Sequence, residues 1–266
     1  MKTAIPLFLA FVCLYAAVPK TEAVNPPPDG GYANGNTAEG NQALFSLTTG
    51  RDNTAIGNAA LLKNTTGSGN TATGNNTLNE NILGEHNTAT GNGALFKNTT
   101  GSDNTATGAE ALQNNTIGAH NTAHGYQALF SNTASDNTAI GFRALHDNIT
   151  GNRNAATGFQ ALRMNTTGQG NVASGWLALE LNTTGAFNTA IGGAALGVNK
   201  TGNQNQAVGY LALGLNTARS AVTRMHKNRT RPLLVYAELH KSADAAPRMS
   251  RLLKLHSWGS APPEKR

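Results

Sequence analysis

One seventeen-residue phrase is repeated almost unaltered eleven times between Asn36 and Ala218. Its clearest form is NTAIGNAALLKNTTGSG, from Asn53 to Gly69. The opening asparagines fall at Asn36, Asn53, Asn70 and onward to Asn205, always 17 residues apart except for one interval of 16 between Asn121 and Asn137. In that short unit NTASD replaces NTTGSD. A period held this strictly constrains the fold more than composition does. Each unit must be one turn of structure that stacks on the next to bury what it cannot bury alone.

With the opening Asn as position 1, position 3 is Ala, position 5 Gly and position 9 Leu in every unit. Position 8 is Ala except at Thr77, and position 12 is Asn except at Leu47. Position 15 is usually Gly, as at Gly67, Gly101 and Gly168. Helix-pair repeats need roughly 33–47 residues, so the unit is too short for them. It is rich in Asn, Thr and Gly, which favour strands, turns and left-handed backbone. The pattern therefore predicts an all-β fold, a β-solenoid (β-roll) of about eleven coils over residues 36–218. Each coil is expected to hold two short strands, one over N-T-A-x-G and one near x-x-A-L-x, with Gly or Asn at the corners. At about 4.8 Å per coil, the rod would be roughly 50 Å long.

Small Ala at positions 3 and 8 lets two backbone layers approach, and Leu at position 9 is the bulky filler. Stacked asparagines are expected to form amide ladders or to cap corners. The interior so described is thin. At roughly 25 cal/mol per Å² of apolar burial, a coil barely offsets an ordering entropy of about 1–2 kcal/mol per residue. Position 4 offers a remedy. It is mostly β-branched, as at Ile56, Thr73, Ile140, Ile191 and Val208, with Glu39 and His124 as departures. This stripe lies on the strand face opposite the alanines. It is expected to pack against sister chains that complete the interior.

The N-T-A-[IT]-G-x-x-A-L wording resembles the head repeats of trimeric autotransporter adhesins (YadA-like heads) and related secreted bacterial repeat and tail-fibre proteins. The resemblance covers about residues 32–218. It implies a left-handed roll, three chains, and a strand residue before Gly that faces the three-fold axis. The period departs from those heads, which use shorter units. Neither an anchor barrel nor an intramolecular chaperone is recognisable.

The flanks read differently. Residues 1–23 have the form of a secretory signal peptide: Lys2, an apolar run from Ala4 to Val18, and Thr21-Glu22-Ala23 before the cleavage point. The run is short for a transmembrane helix; the alternative is a retained N-terminal anchor. Cys13 is the sole cysteine, so no intrachain disulfide forms. Residues 24–35 are a Pro/Gly-rich leader. Residues 219–266 form a basic tail with eleven Lys and Arg against three Asp and Glu, whereas residues 24–218 carry seven against ten. The high pI therefore belongs to the tail. Leu233–Ala237 suits a short strand and Pro247–Trp258 a short helix with Met249, Leu252 and Leu253 on one side. A basic, partly disordered tail, or an ending foreign to the repeat architecture, accounts for the same residues.

No catalytic or metal constellation stands out, and neither an enzyme activity nor a cofactor is expected. His86 and His120 share position 17 but lie two coils apart, roughly 10 Å, too far for one metal. His124 reads as a polar filler on the position 4 stripe. The I-G-x-x-A-L fragment imitates a hexapeptide acyltransferase repeat but occurs once per unit, and calcium-binding nonapeptides are absent. Asn64, Asn98, Asn165 and Asn182 open N-T-T glycosylation sequons that are also the corner of the repeat.

One variable position suggests a binding site. Position 6 is Asn in the first four units, then becomes Tyr126, Phe142, Phe159, Trp176, Gly193 and Tyr210 from the sixth unit on. Stacked coils would align these as an aromatic ladder. Exposed, it would hold a glycan or a partner protein; buried, it would be packing between chains. The leading expectation is a non-catalytic, secreted or cell-surface structural or adhesive rod. It would self-associate as a homotrimer and meet a host or environmental surface, glycan or matrix protein, with no nucleic acid partner. The alternative is an ice-binding solenoid that presents Thr rows at positions 2, 13 and 14, although Ile82-Leu83, Ile117 and Ala134 break the Thr pairs. A polysaccharide-binding or polysaccharide-acting β-helix ranks third, because its acidic residues are scattered rather than clustered.

Overall fold

The computed structural model describes residues 32–225 and the backbone of residues 236–237. The expected signal peptide, most of the leader and the Pro247–Trp258 helix lie outside the described residues. A 3₁₀ turn, Ala33–Gly35, leads into the column. Eleven strands of three residues each then occupy positions 2–4 of successive units: β1 (Thr37–Glu39), β2 (Thr54–Ile56), β3 (Thr71–Thr73), β4 (Thr88–Thr90), β5 (Thr105–Thr107), β6 (Thr122–His124), β7 (Thr138–Ile140), β8 (Ala155–Thr157), β9 (Val172–Ser174), β10 (Thr189–Ile191) and β11 (Gln206–Val208). They pair in sequence order, parallel and in strict register, so that Ala38 sits beside Ala55, Ala55 beside Ala72, and so on. The protein is the expected all-β solenoid of eleven coils.

Alternation along each strand sets the faces. The central Ala is buried in every coil, while positions 2 and 4 point outward. The Cβ period of two requires this. Position 5 must be Gly for two reasons. Gly57 has φ near 128°, outside the range of other residues, and a Cβ there would run into the backbone of Gly74 in the next coil.

The expected second strand is not a strand. Around Ala and Leu the chain turns, with left-handed φ at positions 5, 7 and 9, as in Gly57, Ala59 and Leu61. The segment hydrogen-bonds both ways along the column: Ala59 N donates to Asn41 O (2.8 Å), and Leu61 N donates to Thr77 O (3.0 Å). A left-handed Leu costs about 1–2 kcal/mol. Every position 9 Leu from Leu61 to Leu196 is fully buried, which returns about 1.5–3 kcal/mol each. The burial and the backbone bonds together hold the strained turn.

The interior is also not as thin as the apolar positions alone suggest. Two asparagine ladders run through it, and both are buried along the column. In the first, Asn104 N and Nδ2 both donate to Oδ1 of Asn87, each at 3.0 Å, and Nδ2 also donates to Gly118 O at 2.9 Å. The next rung repeats this, with Asn121 donating to Asn104 Oδ1. In the second, at position 12, Asn81 Nδ2 donates to Asn64 Oδ1 and to Gly84 O, both at 2.9 Å. A buried amide left unpaired costs about 1–3 kcal/mol, and here both ends are paired. Asn is thus core filler as well as corner, and the column completes its interior without a sister chain. Where Thr77 replaces Ala, its hydroxyl donates to Gly91 O (2.6 Å), so the exception is also satisfied.

The sixteen-residue unit is absorbed at the corner. Ala134 O takes over the acceptor role of the position 15 Gly, receiving Asn121 Nδ2 at 2.8 Å and Asn132 Nδ2 at 2.7 Å. The sheet also runs past Ala218. Arg219 O accepts Asn205 Nδ2 (2.7 Å) just as a glycine carbonyl would. A twelfth strand, β12 (Val222–Met225), pairs parallel with β11, and β13 (Tyr236–Ala237) pairs antiparallel with β12.

Candidate functional site

The residues singled out at position 6 sit just beyond the Gly corner, on the edge between the strand face and the turn. All five aromatic rings are exposed, from Phe142 at 40% to Tyr210 at 60%. Strict register makes them a column. Tyr126 and Phe142 stack with centroids 5.5 Å apart and planes 22° apart; Phe142 and Phe159 stack at 5.3 Å and 8°. The Arg143 guanidinium lies 5.3 Å from the Phe142 centroid and 6.0 Å from that of Tyr126, within reach of a cation–π attraction. It is held there by Arg143 Nε donating to Gln127 Oε1 (2.7 Å), and Gln127 Nε2 in turn donates to Glu110 Oε2 (2.6 Å). The position 7 side chains form a polar rail beside the rings.

This geometry decides what the ladder offers. Rings stacked along the axis cover one another's faces and present their edges. The Tyr126–Phe142–Phe159 column is therefore an apolar ridge rather than a set of open platforms. Trp176 leans over the next rung, because its Nε1 occupies the space that a side chain at Gly193 would fill. In the first coils the same edge is polar. Asn75 Nδ2 donates to Asn58 Oδ1 (3.2 Å), and Asn92 Nδ2 donates to Asn75 Oδ1 (3.3 Å), both pairs exposed.

The position 4 stripe points outward as expected, and Ile56, Ile140, Ile191 and Val208 are exposed in the single chain. Exposed Val172 at position 2 adds to it in the C-terminal half. His124 is an exposed member of the same stripe. His86 and His120 do not converge, but Asp103 stands between them, 3.7 Å from each, and Asp136 lies 3.4 Å beyond His120. The alternation makes an exposed polar rail, not a chelate. Among the described residues no group of three or more His, Cys, Asp or Glu is arranged to hold a metal ion. The sequon asparagines Asn64, Asn98, Asn165 and Asn182 are wholly buried in the position 12 ladder, so the folded column leaves no room for a glycan on their amides.

One feature escaped the sequence reading. An open trough of about 930 Å³ runs along the last three coils, walled by Leu177, Leu181, Val198, Leu211, Leu213 and Leu215. Its signal is the loss of bulk at position 10, where Gly197 and Gly214 follow Arg163 and Glu180, alongside apolar residues at positions 7 and 11. No helix among the described residues is long and apolar enough to cross a membrane. Compared with family models, with curated proteins and with solved structures, the chain matches none.

Proposed function

We propose that this chain is a secreted or surface-displayed structural rod that assembles and adheres through the apolar edge of its C-terminal half, without catalysis. The observation that carries this reading is the exposed aromatic column of Tyr126, Phe142 and Phe159, with Trp176 and Tyr210 exposed farther along the same edge. Contiguous exposed apolar surface on a soluble column marks an interaction site, and aromatic residues with Arg are the side chains that anchor such contacts. The apolar start of the chain supports export. The likeness to adhesin head repeats supports a homotrimer, with the apolar C-terminal part of the position 4 stripe, Ile140, Ile191 and Val208, facing the sister chains. The driving force for that assembly is the exposed apolar edge and stripe. It is not an unfilled interior, because the asparagine ladders fill the column.

Replacing Phe142, Phe159 and Trp176 together by Asn copies the native sequence of the N-terminal edge, so the rod is expected to stay folded. Sedimentation velocity should then show the assembled species of the parent chain reduced to monomer, with attachment to a glycan- or matrix-coated surface lost. A parent chain that sediments as a monomer and attaches to nothing would refute the proposal.

A further inference from the structure

We propose that the outer face of β3, β4 and β5 binds ice. Among the described residues these are the only three consecutive strands in which both outward positions are Thr: Thr71 and Thr73, Thr88 and Thr90, Thr105 and Thr107. Register places them in two straight rows, Thr71 beside Thr88 beside Thr105, and Thr73 beside Thr90 beside Thr107. The position 2 row continues through Thr37 and Thr54 on one side and Thr122 and Thr138 on the other.

The array has the properties that lattice recognition demands. It is periodic in two directions, about 4.8 Å between strands and about 6.6 Å along each strand. Both lengths are comparable with the oxygen repeats along the two principal axes of hexagonal ice. Its side chains are stiff, because β-branching restricts χ1, so the order is present before ice arrives. Each Thr offers a methyl and a hydroxyl side by side. None of these six hydroxyls takes part in a hydrogen bond with the described residues, whereas the position 13 hydroxyls of Thr48, Thr65, Thr99, Thr166 and Thr183 donate to the carbonyl one coil on. The Thr rows at position 13 are thus partly spent on holding the coils together, and those at positions 2 and 4 are free for water. The six-residue array carries no charge, so it holds no ionic hydration shell. It ends at Ile56 on one side and His124 on the other.

The test uses the full chain in buffer with a single seeded ice crystal. The parent is expected to open a gap between melting and freezing points and to arrest recrystallisation in a frozen film. Thr90→Lys, at the centre of the array, should abolish most of both effects while leaving the circular dichroism melt in place. The same position already accepts Glu39 and His124, so the fold tolerates a polar or charged group there. Gln206→Lys places the same charge on the same face outside the array, at position 2 of β11, and should retain the parent activity. A folded parent with no hysteresis overturns the proposal, including the case in which sister chains cover this face. So does equal loss in both Lys variants.

Discussion

The first five coils and the last six are built on one interior and two exteriors. Ala55 and Ala190, Leu61 and Leu196, and Asn53 and Asn188 occupy equivalent buried sites and make equivalent contacts. Outside, position 6 changes from an amide ladder of Asn58, Asn75 and Asn92 to stacked rings of Tyr126, Phe142 and Phe159. Position 4 changes from Thr73, Thr90 and Thr107 to a stripe that includes Ile140, Ile191 and Val208. The contrast shows that the column is specified almost wholly by inward groups and backbone. Outward groups are left free to carry a hydroxyl lattice at one end and an apolar ridge at the other.

If the interior is uniform, the same core truncation in the two halves must cost the same. Leu112→Ala and Leu162→Ala should each lose about 2–5 kcal/mol of stability in denaturant titrations, with little difference between them. A large gap would mean that the exteriors also hold the fold. A smaller effect is expected from moving the ridge. Asn58, Asn75 and Asn92 changed to Phe should build a second column in the N-terminal half, worth about 0.5–1.5 kcal/mol per ring pair. Sedimentation should then show larger assemblies than the parent forms. No change in assembly would mean that rings alone do not make the interface. The least effect belongs to Lys63→Ala. It removes an exposed ion pair with Glu80 at 2.9 Å, and its melt should move by less than about 1 kcal/mol.

Much of this was legible in the residues. The period gave the coil, the invariant Ala gave the inward face of the strand, and the change at position 6 gave the aromatic column. The turn around Leu was not legible. Bulky side chains rarely take left-handed backbone, so nothing in the letters A-L marks Leu61 or Leu112 for φ near 50°, and tertiary burial overrides the local preference. The depth of the asparagines was half legible. Their stacking could be read from the repeat, but their role as core depends on which way the chain turns after them. The continuation of the sheet past Ala218 was not legible, because β12 joins by backbone pairing and the carbonyl of Arg219 serves as well as that of a glycine.

The buried amides also all point one way. Each Asn of the first ladder donates toward the preceding coil and accepts from the following one, from Asn53 bonding to Asn36 through Asn205 bonding to Asn188. Aligned bonds of this kind polarise one another. The rod therefore has an electrical as well as a chain direction. Within the described residues both ends of that array are met by the chain itself: Asn36 Nδ2 donates to Ala33 O at 2.7 Å, and Asn205 Oδ1 accepts Val222 N at 3.0 Å.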